Sequence, residues 1–307
     1  MTDKHYLNGE LMIEARKLVK DYGTFRALDE VSFSFEDPGI FGIIGHNGAG
    51  KTTLLKCMAG LIQPTAGELI IEGIDVRREP ARVKEMLGYL PEESRLYETM
   101  TVESYLRFFG EIYGIPADEC RIRSEKLLAS LKLDPQGKRI GELSKGMRRK
   151  VAIARSLLHE PSLLIYDEPT SGLDPMTSRY IIGYLAHLRD TWQKTILLSA
   201  HNLYQVEEIC DRVLILRQGK VAAFGTMEEL RGQFGSLSYH IRFVTDDTGA
   251  LPASISFEEE SGEYVAVVES MDALNAVTAA VAAAGGAVRG IESRYPSLEE
   301  MLLMIGK

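Results

Sequence analysis

Long apolar runs are missing from this sequence of 307 residues: no stretch of about 18 apolar residues could span a bilayer, and no charged-then-apolar leader opens it. The nearest candidate, Ala273 to Val288, carries Asn275, Thr278 and two glycines and reads as an alanine-rich helix. Any membrane is therefore expected to be reached through another polypeptide. Cysteine is scarce too. Cys57, Cys120 and Cys210 are widely spaced and match no metal-binding pattern, so reduced thiols in a cytosolic compartment are the simplest expectation. Basic residues are outnumbered 35 to 44, and the resulting net charge of −9 argues against a chain that coats nucleic acid. There is no internal repeat.

What is present is an ordinary globular composition, long enough for one large or two modest domains with full cores. It is organised around Gly45-His46-Asn47-Gly48-Ala49-Gly50-Lys51-Thr52-Thr53, which follows the apolar run Ile40–Ile44 and precedes the helix-like Leu54–Ala59. The stretch fits G-x-x-x-x-G-K-[ST] between a strand and a helix, the context that pattern requires. Glycines let phosphate oxygens approach the backbone amides, so the loop becomes a nest of N–H donors at a helix N-terminus. Lys51 is expected to reach the β- and γ-phosphates of a nucleoside triphosphate, and Thr52 to ligate magnesium.

Before this loop, residues 11–44 alternate as strands do, with Met12–Arg16 and Val31–Phe35 broken by Asp37-Pro38-Gly39. An antiparallel ribbon is expected there. Between about 92 and 158 the spacing becomes helical, as in Val102–Phe109 and Ser124–Leu131, which predicts a helical insertion. The runs Leu163–Tyr166, Thr195–Leu198 and Val213–Leu216 are apolar throughout, as suits strands buried on both faces of a mainly parallel sheet. Arg217–Lys220 reads as a hairpin turn. Ligands of such sheets gather at the carboxyl ends of the strands. There Ile44 opens the phosphate loop, Tyr166 leads to Asp167-Glu168, and Leu198 leads to His201. One carboxylate of the pair suits metal, Asp167, and the other suits the attacking water, Glu168.

From about residue 236 the texture changes: Leu237–Phe243, Tyr264–Val268 and Ala287–Ile291 read as strands around the alanine-rich helix, and Leu298–Leu303 is amphipathic. The expected fold class is α/β. It comprises a P-loop NTPase core with a mainly parallel sheet, an N-terminal antiparallel β subdomain and an inserted helical subdomain over residues 1–232. A small C-terminal α+β domain follows over 236–307.

Leu143-Ser144-Lys145-Gly146-Met147 lies shortly before the Asp-Glu pair, with Tyr89-Leu90-Pro91-Glu92 upstream, Ser171-Gly172-Leu173-Asp174 downstream, and Tyr22 ahead of the phosphate loop. In order and spacing these motifs resemble those of ATP-binding-cassette (ABC) ATPases across most of residues 11–232. The resemblance implies ATP and Mg2+ as cofactors. It implies that Tyr22 stacks on adenine, with Phe25 as rival, that His201 contacts the γ-phosphate, and that Asp174 shapes a contact between two subunits. Ser144 and Gly146 would bind the ATP of the opposite subunit in a head-to-tail homodimer or heterodimer. The cluster Lys145, Arg148, Arg149 and Lys150 has the wrong sign for an isolated helix N-terminus. It reads as a face awaiting a phosphate or partner. Two departures stand out: Glu92 replaces the family's glutamine, which keeps metal-accepting oxygens but adds charge, and Lys145 and Met147 replace glycine and glutamine.

The resemblance further implies an ATPase subunit on the cytoplasmic face of the membrane, working with a separate permease. Pro296-Ser297-Leu298-Glu299-Glu300 resembles the ends of bacterial ABC-2 type exporter ATPases. The competing expectation is a cassette ATPase of DNA repair, translation or cluster assembly. No Asn-Lys-x-Asp motif supports a GTPase.

Overall fold

Two long strands reverse over Tyr22–Phe25: β1 (Ile13–Tyr22) and β2 (Phe25–Phe35) pair antiparallel, with Ile13 opposite Phe35 and Tyr22 opposite Phe25. The computed structural model describes residues 13–135, 137–252, 254–260 and 262–306, so the expected strand residues Leu11 and Met12 lie outside the described ones. β1 also pairs with β4 (Ala66–Ile71), which continues into the short β5 (Ile74–Asp75), giving an antiparallel sheet in the order β2-β1-β4-β5.

The second sheet has six strands. Its parallel body comprises β3 (Ile40–Ile44), β6 (Leu87–Leu90), β7 (Leu163–Tyr166), β8 (Thr195–Ser199) and β9 (Arg212–Arg217), with β10 (Lys220–Gly225) added antiparallel at one edge. Apolar side chains on both faces bury β3, β7 and β8 along their whole length. The register decides where function can sit. Leu90 pairs with Tyr166, Tyr166 with Leu198, and Ile43 with Ser199, so four strands finish along one edge of the sheet.

Helices α1 (Lys51–Met58), α2 (Pro80–Glu85), α6 (Pro175–Trp192) and α7 (Leu203–Ile209) connect these strands. Between β6 and β7 the chain forms α3 (Val102–Ile112), α4 (Ala117–Ser130) and α5 (Lys145–Leu157). Thr101 caps α3 by accepting the Ser104 N–H, and Ser144 caps α5 by accepting the Met147 N–H at 3.2 Å. One apolar core joins β1, β2 and β4 to the parallel sheet and α1, through residues such as Phe35, Phe41, Leu54 and Leu197.

The chain divides into two compact units between Met227 and Glu228, within α8 (Met227–Phe234). In the second unit β11 (Ser238–Val244), β12 (Phe257–Glu260), β13 (Glu263–Val268) and β14 (Ala287–Arg294) form an antiparallel sheet in the order β12-β13-β11-β14. Helix α9 (Met271–Ala283) lays Leu274, Val277 and Val281 against Ile241, Phe243 and Ala266. The alanine-rich helix ends at Ala283 rather than Val288, because the chain turns through Gly285 at φ +70° into β14. Helix α10 (Leu298–Gly306) starts on a capping box: the Ser297 N–H donates to Glu300 Oε2 at 2.8 Å and the Glu300 N–H to Ser297 Oγ at 3.3 Å. The Pro-Ser-Leu-Glu-Glu segment therefore has a local physical task, starting a helix. Among the described residues no helix is long and apolar enough to cross a membrane.

Candidate nucleotide-binding site

The loop after β3 closes on itself and on the turn between β9 and β10. Ala49 donates its N–H to His46 O at 3.0 Å, while the Gly219 N–H donates to Ala49 O at 3.0 Å. A Cβ on Gly45 (φ +150°) would run into the Leu216 carbonyl oxygen, and one on Gly50 (φ +107°) would stand 2.7 Å from the Ala27 carbonyl oxygen. Both positions need glycine. Gly50 delivers the chain into α1 with no side-chain cap, leaving the amides at its start available to an anion.

Lys51 is buried to 8% exposure, and its Nζ donates to Gly45 O at 2.8 Å. Its ammonium thus bridges its own loop. Burial pulls the Lys51 pKa below the ordinary lysine value, opposed by the nearby carboxylates of Glu168, Asp167 and Glu92.

At the end of β7, Asp167 is 3% exposed, and Asp167 Oδ1 accepts a 2.5 Å hydrogen bond from the Ser199 hydroxyl. The Glu168 N–H donates to that same hydroxyl at 3.0 Å. Ser199 thereby ties both acidic residues to the end of β8. Glu168 has φ +50°, the left-handed region rarely used by a residue with a side chain. Its Oε2 accepts the His201 N–H at 3.0 Å; its Oε1 accepts no hydrogen bond, with His201 Nε2 at 3.4 Å. Burial raises the Glu168 pKa, against the opposing pull of His201 and Lys51. A buried carboxylate with one anchored oxygen and one left without a hydrogen bond has a lone pair to offer a proton from water.

A cleft of about 230 Å³ gathers these groups. The phosphate loop from Asn47 to Thr53 lines it together with Glu92, Glu168, His201 and Phe25. Gly45 and His46 contribute through the carbonyls that Lys51 holds. Tyr22 is not among the lining residues: it is half exposed beside Lys20, whose Nζ lies 5.0 Å from the ring centre. Phe25, its partner across the turn, is the aromatic that faces the loop.

Asp167, Thr52 and Glu92 offer hard oxygens suited to magnesium. Among the described residues no group of three or more His, Cys, Asp or Glu could hold a metal by itself.

Ser144, Gly146 and Asp174 do not join this cleft. Ser144 is exposed at the start of α5, and Asp174 caps α6 by accepting the Thr177 N–H at 2.9 Å; the Thr177 side chain and this N–H together hold its carboxyl below the ordinary range. Gly146 faces Thr177 so closely that a Cβ would stand 3.0 Å from the threonine methyl. On one chain, therefore, the phosphate loop and the capped start of α5 do not share a cleft.

One expectation needs correction. Arg149 is not part of an open basic face: it is 7% exposed, and its guanidinium turns inward onto the backbone carbonyls of Pro91, Glu92, Asp167, Glu168 and Pro169. Burial lowers its pKa to about 10, which leaves it charged at neutral pH. Around it, Arg148 pairs with Glu98 at 3.3 Å and Lys150 lies over the Tyr180 ring, while Lys145 remains exposed. Ser199 and Gly219 were not anticipated either; a serine ending an apolar strand and a glycine in a hairpin carry no signal of the loops they brace.

Residues 28–171 match the family model described as "ABC transporter", and residues 225–305 match "ATP-binding protein DrrA1-3-like, C-terminal domain". The ABC transporter ATP-binding protein NatA of Bacillus subtilis is 40% identical over 67% of this chain and 84% of its own length. The chain belongs to the ABC transporter ATP-binding family. The daunorubicin resistance ATP-binding protein DrrA3 of Streptomyces coeruleorubidus is 32% identical over 92% of each chain. A solved ATP-binding subunit of an ABC transporter superposes with a TM-score of 0.66 at 34% identity, over 73% of this chain and 93% of that one. As an ABC ATPase the protein binds and hydrolyses ATP to power a transporter, and a cassette working in repair, translation or cluster assembly is set aside. Its fold is the P-loop NTPase fold expected from the sequence.

Proposed function

We propose that this chain is the ATPase subunit of a bacterial exporter, and that two ATPase subunits close head to tail around ATP. The observation that carries this reading is the separation of parts. Lys51, Thr52, Glu168 and His201 share one cleft, whereas the capped start of α5 at Ser144 and Gly146 faces elsewhere on the same subunit. A second ATPase subunit, either another copy or a related chain, would bring its Ser144 and Gly146 to the phosphate held by this loop. Asp174 would lie at the contact between them.

Within the site, the loop amides and Lys51 hold the β- and γ-phosphates, and Phe25 rather than Tyr22 faces the base. Magnesium, when bound, neutralises the phosphates; Thr52, Asp167 and Glu92 would hold it. Glu168 takes the proton of the attacking water through its open oxygen, and His201 reaches the γ-phosphate while its backbone N–H fixes Glu168.

The name of DrrA3, a daunorubicin resistance protein, supports transport of a drug-like molecule out of the cell, and the DrrA-like C-terminal match agrees with it. A separate permease carries the cargo, which situates the chain at the cytoplasmic face of the membrane. The 236–307 region is an accessory α+β domain, and no nucleic-acid partner is expected of a chain with net charge −9. Purification of the chain from solubilised membranes tests this: a co-purifying protein with many membrane spans supports it, and ribosomes or DNA in its place would overturn it.

A further inference from the structure

Arg149 is a buried cation that none of the steps above uses. It has no carboxylate partner in the hydrogen bonds it makes. Nε donates to Pro169 O at 2.8 Å; one terminal nitrogen donates to Pro91 O, Glu92 O and Ser94 Oγ at 2.8, 3.0 and 3.2 Å; the other donates to Asp167 O and Glu168 O at 3.1 and 2.6 Å. Burying a charge is costly, and an apolar residue would fill such a space at less expense. A lone guanidinium that joins segments 57 and 19 residues away is better understood by what it connects.

The connection converges on Glu168. A left-handed backbone at a residue with a side chain persists only where its surroundings over-determine it. Here Ser199 accepts the Glu168 N–H, the His201 N–H holds the carboxylate, and Arg149 takes the Glu168 carbonyl oxygen. The other end of the guanidinium holds Pro91 O, Glu92 O and Ser94 Oγ. Glu92, Glu93 and Arg95 are exposed, and a cleft of about 580 Å³ opens over this segment and Arg149. The segment is tied to Glu168 both through Arg149 and through the backbone, where the Asp167 N–H donates to Leu90 O at 2.8 Å.

We propose that Arg149 is a positioning residue for hydrolysis: by bonding the Glu168 carbonyl and the segment 91–94 at once, it holds the left-handed backbone of Glu168 and so the aim of its carboxylate. This rests on the reading of Glu168 as the residue that activates water. Lysine at 149 keeps the charge but cannot reach both segments at once, and glutamine keeps polarity with too few donors.

The test uses the full chain and the variants Arg149→Lys and Arg149→Gln. Steady-state ATP hydrolysis is measured beside the affinity for mant-AMPPNP, with hydrogen exchange followed at 91–95 and 167–170. Both variants should hold the analogue within about threefold of wild type while kcat falls about tenfold or more, the size of effect a small misplacement produces. Exchange should quicken in the two segments together, while α1 stays protected. A kcat loss below about tenfold, or one matched by an equal loss of analogue binding, would overturn the proposal. If the glutamine variant does not fold, the lysine variant decides alone. Wild type that fails to hydrolyse ATP, or Glu168→Gln hydrolysing at the wild-type rate, would instead overturn the reading of the site.

Discussion

Glu168 Oε2 accepts the His201 backbone N–H at 3.0 Å, and His201 Nε2 stands 3.4 Å from Oε1 of the same carboxylate. Burial lifts the pKa of this group above that of an ordinary glutamate. The folded chain therefore holds the proton more tightly than the unfolded one. Its contribution to stability is full below the ordinary glutamate range and is lost as pH rises through the raised folded value. Glu168→Gln cannot ionise, so it should melt higher than wild type at neutral pH and converge with it in acid. Thermal unfolding of the nucleotide-free chain between about pH 4 and pH 8 checks this; a constant difference across that range would oppose it.

Ser199 is wholly buried and serves both acidic residues. Ser199→Ala leaves Asp167 Oδ1 and the Glu168 N–H each short of a bond. The expected cost is about 1–3 kcal/mol of folding stability, read from urea denaturation. It should also raise the magnesium concentration needed for half-maximal hydrolysis, because Asp167 loses the hydroxyl that orients it. Unchanged stability and an unchanged magnesium titration would remove Ser199 from the site.

Phe25 and Tyr22 face each other across one turn, yet only Phe25 lines the cleft. Phe25→Ala should weaken mant-AMPPNP binding by roughly 5- to 100-fold, the worth of a ring stacked on a base, and Tyr22→Ala by less than about twofold. The reverse order in fluorescence titrations would assign the base contact to Tyr22.

The loops of the site were legible in the sequence because each follows an apolar strand, and the parallel register then aligns the ends of β3, β6, β7 and β8. Arg149 was obscured by its neighbours: among four basic residues it reads as one of a solvated set. Its helical spacing held the signal, since Arg149, Ala152, Ile153 and Ser156 share the buried side of α5. Ser199 ends a strand in which every residue is buried, so nothing in the local pattern separates a bonded hydroxyl from an ordinary strand end. Tyr22 and Phe25 compete for the base in the sequence, because residue order does not reveal which side of a turn faces the loop. The sequence marks Leu298–Leu303 as amphipathic, and the structure makes it a helix that starts on the Ser297–Glu300 capping box.

Glu92 borders both the phosphate-loop cleft and the cleft over Arg149. Glu92→Gln removes a negative charge near the metal-binding oxygens and restores an amide donor. The apparent magnesium requirement for hydrolysis should shift measurably, by about twofold or more, while ATP affinity without magnesium improves through reduced repulsion. Superimposable magnesium titrations of the two proteins would contradict this.

The composite site itself is tested by size-exclusion chromatography of Glu168→Gln with light-scattering detection of mass. With ATP and magnesium the mass should double, and without nucleotide it should return to that of one chain. Adding Lys51→Ala, which removes the Nζ now bonded to Gly45 O, or Gly146→Asp at the start of α5, should abolish the doubling. A single-chain mass with and without ATP would contradict closure of two copies of this chain, and doubling that survives both added substitutions would contradict a site shared between them.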